Sequence, residues 1–171
     1  MPRLEFVSQR HTKYADYGCG VACLAMLLRY RECRTPSVAE LGAKIKIDTD
    51  PGERLGPAFS GYGYGAFNRD IVRYLECEDH SYVHIEADPS SKAAKDTLIG
   101  LIAASPTMVG VGNESNPQKW GAGGHWIVVE HLGAERVRYL DPNEKANGKP
   151  RKSLKIEELL DDWDGVAVSI M

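Results

Sequence analysis

A run of eight apolar residues, 21–28, is the feature that most constrains the fold. A helix that is apolar on every side has no face suited to water, so other elements must surround it. We therefore expect a buried helix with the remaining helices and strands packed around it. The run follows directly on Gly18-Cys19-Gly20, which places Cys19 in the first turn of this helix.

That position suits Cys19 to nucleophilic chemistry. A thiol attacks only as the thiolate, and a free cysteine with a pKa of about 8.5 is mostly protonated at neutral pH. The unpaired N–H groups and the positive end of the dipole at a helix N-terminus stabilise a negative group. The flanking glycines allow a tight chain entry and a close approach of substrate. The alternative is that Cys19 is a small buried apolar side chain.

A histidine and an aspartate lie on a predicted hairpin far downstream. Residues 126–131 and 136–140 are strand-like, and the short connection between them contains Gly133. If the loop is centred on Gly133, His125 lies directly opposite Asp141. Opposed side chains have Cβ atoms about 5 Å apart, so a carboxylate can reach an imidazole N–H and fix its tautomer.

Cys19, His125 and Asp141 therefore predict a nucleophile, a general base and a residue that orients the base. Alone, a histidine before a strand is more often structural, and an Asp-Pro pair is more often a turn. Their register with each other, in a chain that also offers an activated cysteine, favours catalysis.

The strings around these residues resemble a known family. They are Cys-Gly-x-Ala-Cys-Leu-Ala-Met from Cys19, Gly-His-Trp-x-Val-Val from Gly124, Asp-Pro at Asp141 and Trp-x-Gly from Trp163, which an apolar strand follows. Together they are similar to the bacteriocin-processing double-glycine peptidases, which belong to the papain-like cysteine peptidases. The resemblance covers residues 6–170.

The resemblance implies an α+β, papain-like fold in a single domain of residues 1–171. An N-terminal helical half that bears Cys19 would pack on a C-terminal antiparallel sheet that bears His125 and Asp141, with the active site in the cleft between them. In the family these three positions are the nucleophile, the general base and the orienting acid.

Two further site assignments follow from the resemblance. Members of the family carry a glutamine shortly before the nucleophile, and its amide helps to form the oxyanion hole. Gln9 is the nearest such residue here, but it lies ten positions before Cys19, which is farther than usual. An intervening loop could absorb the extra residues, and the alternative is an ordinary surface amide. Gly124 and Trp126, on either side of the histidine, are expected to bind substrate.

These residues predict a thiol-dependent hydrolase that cleaves peptide bonds through an acyl-enzyme, with Gly-Gly before the cut as in the resembled family. One alternative keeps the triad but uses it for deamidation or acyl transfer, as in a secreted toxin or effector. Another is a peptide-binding module without catalysis, against which the intact triad argues.

Composition excludes several other classes of function. A net charge of −3 and a pI near 6.0 provide no basic surface for nucleic acid. No run approaches the roughly 20 apolar residues of a membrane-spanning helix, and residues 1–6 lack a signal-peptide core, so the expected location is the cytoplasm. We expect no metal and no cofactor. The expected partner is a peptide or protein substrate, and a transporter or secretion partner would lie outside this sequence.

The pattern also predicts the other elements. A capping box from Ser37 to Glu40 opens a helix that runs toward Ile45, and Asn68 caps another. The further predictions are a helix over 92–104, a strand over 106–111, a helix over 156–163 and a final strand over 166–170.

Overall fold

The computed structural model describes residues 3–11, 18–32, 36–47, 56–57, 68–112, 117–120, 124–145 and 147–171. A six-stranded antiparallel sheet forms the centre of this part of the chain, and helices cover both of its faces. The predicted α+β class is confirmed.

The helices are α1 Cys19–Glu32, α2 Val38–Lys44, α3 Asn68–Cys77, α4 Lys92–Ala104, α5 Pro117–Trp120 and α6 Ile156–Asp162, and a short 3-10 turn spans Gln9–His11. The strands are β1 Lys46–Ile47, β2 Gly56–Pro57, β3 Tyr82–Glu86, β4 Thr107–Val111, β5 His125–Leu132, β6 Arg136–Leu140, β7 Arg151–Lys155 and β8 Trp163–Ile170. The main sheet has the order β3-β8-β4-β5-β6-β7, while β1 and β2 pair separately.

The apolar helix is buried as predicted. Every residue of the run 21–28 is at most 2% exposed. Its side chains pack on one face of the sheet, against Met108 of β4, Val128 of β5 and Val168 of β8. Burial of this helix fixes its first residue, Cys19, close to the start of β5.

The other face of the sheet has its own core. Leu98 and Ile102 of α4 pack there with Val109 of β4 and Ile127 of β5. The sheet is therefore buried on both sides, which accounts for the continuous apolar run in β4. The helix predicted over 92–104 has the predicted bounds.

The β5–β6 hairpin has a register different from the predicted one. Its loop is Ala134-Glu135, closed by a hydrogen bond of 2.8 Å from the Gly133 N–H to the Arg136 carbonyl, so Gly133 lies at the end of a strand and not at the centre of the loop. A bulge follows near His131, and Val129 pairs with Tyr139. Asp141 is consequently displaced by two positions from the residue opposite His125.

The C-terminal helix is one residue shorter than predicted. It ends at Asp162, and Trp163 begins β8 with an extended backbone, φ −65° and ψ 130°. Trp163 is buried in the same core as Leu159. It therefore continues the apolar spacing of the helix in the sequence, although it lies outside the helix. Its indole N–H donates to the Val166 carbonyl at 2.9 Å.

Local signals located other elements correctly. Ser37 caps α2, and the capping box with Glu40 is complete. Asn68 is the first residue of α3. The sequence analysis missed β3 and β7, whose alternate residues are polar. Among the described residues, no helix has both the length and the apolar character needed to cross a membrane.

Candidate active site

Cys19 is the first residue of α1 and is partly exposed, whereas the residues on both sides of it are buried. Its sulfur forms a hydrogen bond with the side chain of His125 and accepts backbone hydrogen bonds from the N–H groups of Gly20 and Trp126. Cys19 is thus hydrogen-bonded to groups of its own helix and of the first two residues of β5.

His125, the first residue of β5, connects the cysteine to a carboxylate. Its Nε2 lies 2.8 Å from Oδ1 of Asp141. The remaining ring nitrogen, Nδ1, is therefore the one available to Cys19. The diagonal placement across the hairpin does not prevent contact, because residues two positions apart on a strand point to the same face.

The electrostatics favour a thiolate and an imidazolium at rest. Burial alone would raise the pKa of Cys19, but the hydrogen bond and charge of His125 and the two backbone N–H groups outweigh burial and lower that pKa. Burial alone would lower the pKa of His125, but its bonds to Asp141 and Cys19 raise it to about 9. The expected resting proton thus lies on His125.

Asp141 is buried and carries several further contacts. Its Oδ1 also accepts the Asn143 backbone N–H at 3.0 Å, and its Oδ2 lies 2.9 Å from Nζ of Lys152. Lys152 in turn lies 2.6 Å from Glu144. Burial would raise the pKa of Asp141, but the hydrogen bonds from His125 and Lys152 hold it well below the usual range.

Trp120 covers the imidazole from α5. Its ring stacks on His125 with 6.1 Å between ring centroids and an interplanar angle of 21°, and it makes an edge contact with Tyr139. Trp120 is 8% exposed. The His125–Asp141 hydrogen bond is therefore partly shielded from water, which strengthens it.

Gln9 lies beside the turn that follows Asp141. It is 3% exposed, and its backbone N–H donates to the Pro142 carbonyl at 2.9 Å. The neighbouring Ser8 hydroxyl donates to the Glu144 carbonyl at 2.6 Å. Gln9 is thus an anchored, buried residue next to the site, and not a surface amide, although ten positions separate it from Cys19.

Gly124 and Trp126 occupy different environments. Gly124 has a φ of +76°, a backbone conformation that favours glycine, and a Cβ on Gly112 would come 2.9 Å from the Gly124 Cα, so close backbone packing requires glycine at position 112. The Trp126 ring is 9% exposed and belongs to the core around α1. The Trp126 backbone contact to Cys19 connects the start of β5 to the start of α1.

Cys23 lies one helical turn after Cys19 and is fully buried. Burial raises the pKa of its thiol well above the ordinary value, and the nearby charge of Cys19 adds to that effect. It therefore packs as an apolar side chain. Within the described ranges, no three histidine, cysteine or acidic side chains are grouped to hold a metal.

Lys152 and Trp120 were missed by the sequence analysis. Lys152 reaches Asp141 because β7 pairs with β6 and places Lys152 opposite Tyr139, two residues before Asp141. A polar edge strand carries no hydrophobic signal of that pairing. The helix that contains Trp120 has only four residues, which is too short for a helical periodicity of apolar residues to be recognised in the sequence.

Several solved structures share this fold, and three of them are described as peptidases or proteases. A C39-like peptidase from Bacillus anthracis matches with a TM-score of 0.69 and 20% identity, over 99% of this chain and 94% of that one. The peptidase domain of Streptococcus ComA, a bi-functional ABC transporter involved in quorum sensing, matches with a TM-score of 0.64 and 18% identity, over 98% of both chains.

A third structure is a double-glycine motif protease from an AMS/PCAT transporter in complex with the leader peptide. It matches with a TM-score of 0.60 and 13% identity, over 98% of this chain and 91% of that one. No curated protein matches the chain. The model of the Peptidase C39-like family matches residues 3–168, and the chain belongs to that family.

Proposed function

We propose that this protein is a cysteine peptidase that cleaves the bond after a Gly-Gly pair through an acyl-enzyme. The observation that carries the proposal is the connected contact from Cys19 to His125 and from His125 to Asp141 at 2.8 Å, with the pKa of Cys19 lowered and that of His125 raised to about 9. This combination supplies a nucleophile and a proton donor in one pair.

In the first half of the reaction, the Cys19 thiolate attacks the carbonyl carbon and forms the C–S bond. The carbonyl electron pair moves to oxygen, and the backbone N–H of Cys19 and the Gln9 side chain stabilise that oxyanion. Collapse of the intermediate breaks the C–N bond, and His125 gives its proton to the leaving amine.

In the second half, His125 is neutral and acts as a general base. It takes a proton from water, whose oxygen attacks the thioester carbonyl. The C–S bond breaks, the carboxylic product leaves, and the Cys19 thiolate with the protonated His125 is restored. Asp141 stabilises the imidazolium in both halves and remains ionised, since its pKa lies well below the usual range.

The comparisons support Gly-Gly as the substrate. The relative solved with a leader peptide is described as a double-glycine motif protease, and this chain belongs to the Peptidase C39-like family. The Trp126 ring belongs to the core around α1, so it is the Trp126 backbone N–H, and not its side chain, that contacts the Cys19 sulfur. We therefore expect the same preference for glycine before the cut.

The test compares peptides that differ only in the residue before the cut. We expect kcat/KM to be at least about tenfold higher for glycine than for leucine, which corresponds to about 1.4 kcal/mol in transition-state binding. Cleavage sites are read by mass spectrometry, with Cys19→Ala protein as the control. Equal rates for the two peptides, or ammonia release without chain cleavage, would contradict the proposal and favour a deamidase.

A further inference from the structure

Three residues form a row across neighbouring strands on the face that carries Cys19. Trp126 of β5 is the register partner of Gly110 of β4. A Cβ on Gly110 would come 2.7 Å from the carboxyl carbon of Asp164, so the Asp164 carboxylate lies directly over the Gly110 backbone. Gly110 is two residues from Met108, which packs beneath α1, so this row is on the α1 face.

Asp164 carries a charge that no neighbouring cation offsets. Its Oδ1 accepts the Val166 backbone N–H at 3.1 Å, and in the part of the chain that the structure describes it forms no ion pair. Burial raises the pKa of Asp164 above its ordinary value. The Asp164 side chain is nevertheless exposed to solvent, so a ligand can reach its carboxylate.

The proposed reaction gives the substrate an expected direction across the sheet. His125 would protonate the leaving amine, and its partner Asp141 follows β6, on one side of β5. We therefore expect the amine half of the substrate toward β6. The acyl half, which contains the residues before the cut, is then expected toward β4 and β8, where Asp164 is found.

The distances match a short peptide. Strands are about 4.8 Å apart, so β8 is about 10 Å from β5. An extended peptide advances about 3.3 Å per residue, so the row spans about three residues. A long side chain just upstream of a Gly-Gly pair can reach the Asp164 carboxylate.

We propose that Asp164 forms a subsite for a basic side chain, lysine or arginine, at the third or fourth residue before the cleaved bond. The inference rests on the proposed peptidase function and names its substrate class. Gly110 makes room for the carboxylate, and the Val166 N–H orients it. A lysine or arginine that binds there supplies the missing positive charge.

The test uses matched peptides that end in Gly-Gly before the cut and carry lysine or norleucine at the third or the fourth position. We expect the kcat/KM ratio of lysine to norleucine to be about tenfold at one of these positions. Asp164→Asn, which keeps the acceptor for the Val166 N–H, should reduce the ratio to within about twofold, as expected for a lost charge pair.

Asp161→Asn is the matched control. Asp161 is an exposed carboxylate on α6 near Lys95, and its neutralisation changes the net charge equally. It should leave the ratio unchanged. A wild-type ratio near one at both positions, or an unchanged ratio in Asp164→Asn, overturns the subsite.

A binding measurement tests the Asp164 subsite independently of peptidase activity. Labelled lysine and norleucine peptides are titrated into Cys19→Ala protein and followed by fluorescence anisotropy. If wild-type protein cleaves nothing, the peptidase proposal fails, yet tighter binding of the lysine peptide that Asp164→Asn abolishes still supports the subsite. Equal affinities for the two peptides overturn it, whatever the activity.

Discussion

The Nζ atom of Lys152 lies 2.9 Å from Oδ2 of Asp141, the carboxylate oxygen that does not contact His125. Asp141 therefore balances two cations, a lysine on one oxygen and an imidazolium on the other. Glu144, 2.6 Å from Lys152, offsets part of the lysine charge. We therefore expect Lys152 to be a positioning residue that acts on His125 through Asp141.

Replacement of Lys152 by methionine tests this role. Removal of a positive charge favours the imidazolium, so the pKa of His125 should rise above about 9. The alkaline limb of the kcat/KM profile should move to higher pH by about half a unit. Because Asp141 also loses a contact that holds it, kcat should fall several-fold.

The matched control for that experiment is Lys155→Met on the same strand. Lys155 is exposed, and its backbone N–H bonds to Glu158. Its replacement should leave the pH profile of wild-type protein intact. An alkaline limb that stays in place or moves to lower pH in Lys152→Met would show that Lys152 has no electrostatic effect on His125.

Cys19 should react selectively with a limiting amount of an alkylating reagent at pH 6. Its pKa is lowered, whereas Cys23 is buried with a raised pKa. Cys77 is exposed and serves as an internal reference for accessibility; Cys33 lies outside the described residues. Peptide mapping by mass spectrometry measures the labelled fraction at each position.

His125→Ala is the control for selective labelling. It removes the hydrogen bond and the charge that lower the pKa of Cys19, so labelling at pH 6 should become slow, while Cys77 reacts as before. Equal labelling of all four cysteines in wild-type protein would be incompatible with a thiolate at Cys19.

Short-range patterns located much of the fold. The apolar run predicts α1, the capping box predicts α2, and the apolar positions predict α4 with its observed bounds. These signals arise within one helix, where propensity and caps act locally. The pairing of β3 with β8 joins distant segments, and nothing in either strand alone encodes it.

The predicted contact between His125 and Asp141 is present, but its predicted register is wrong. The assumption of a loop centred on Gly133 put Asp141 directly opposite His125, whereas the actual loop and a bulge displace it by two positions. The contact survives since a two-residue shift preserves the face of the sheet. A one-residue error would have sent Asp141 to the opposite face.

Gln9→Ala should lower kcat about 100-fold or more if the amide donates to the oxyanion. Gln9→Glu, which keeps the shape but loses the amide donor and adds a negative charge, should be at least as slow. Labelling of Cys19 at pH 6 should be unchanged in Gln9→Ala, because no contact that lowers the pKa of Cys19 comes from Gln9.

Ser8→Ala tests whether the effect of Gln9→Ala comes from the lost amide donor or from a loosened chain segment. The Ser8 hydroxyl holds the same segment through the Glu144 carbonyl but offers no amide. The Ser8→Ala substitution should therefore reduce kcat only slightly. If Ser8→Ala and Gln9→Ala are equally slow, the Gln9 effect comes from the lost anchor and not from the oxyanion.

Asp141→Asn should leave the fold intact and lower kcat by about 10³- to 10⁴-fold, as expected when the histidine loses its orienting carboxylate. Asp141 raises the pKa of His125, so its neutralisation should lower that pKa from about 9. The alkaline limb should then move to lower pH, opposite to the shift in Lys152→Met. Circular dichroism checks the fold, and Asp161→Asn serves as the control for charge. An alkaline limb that stays near pH 9 with kcat reduced would mean that Asp141 only supports the hairpin and does not act on His125.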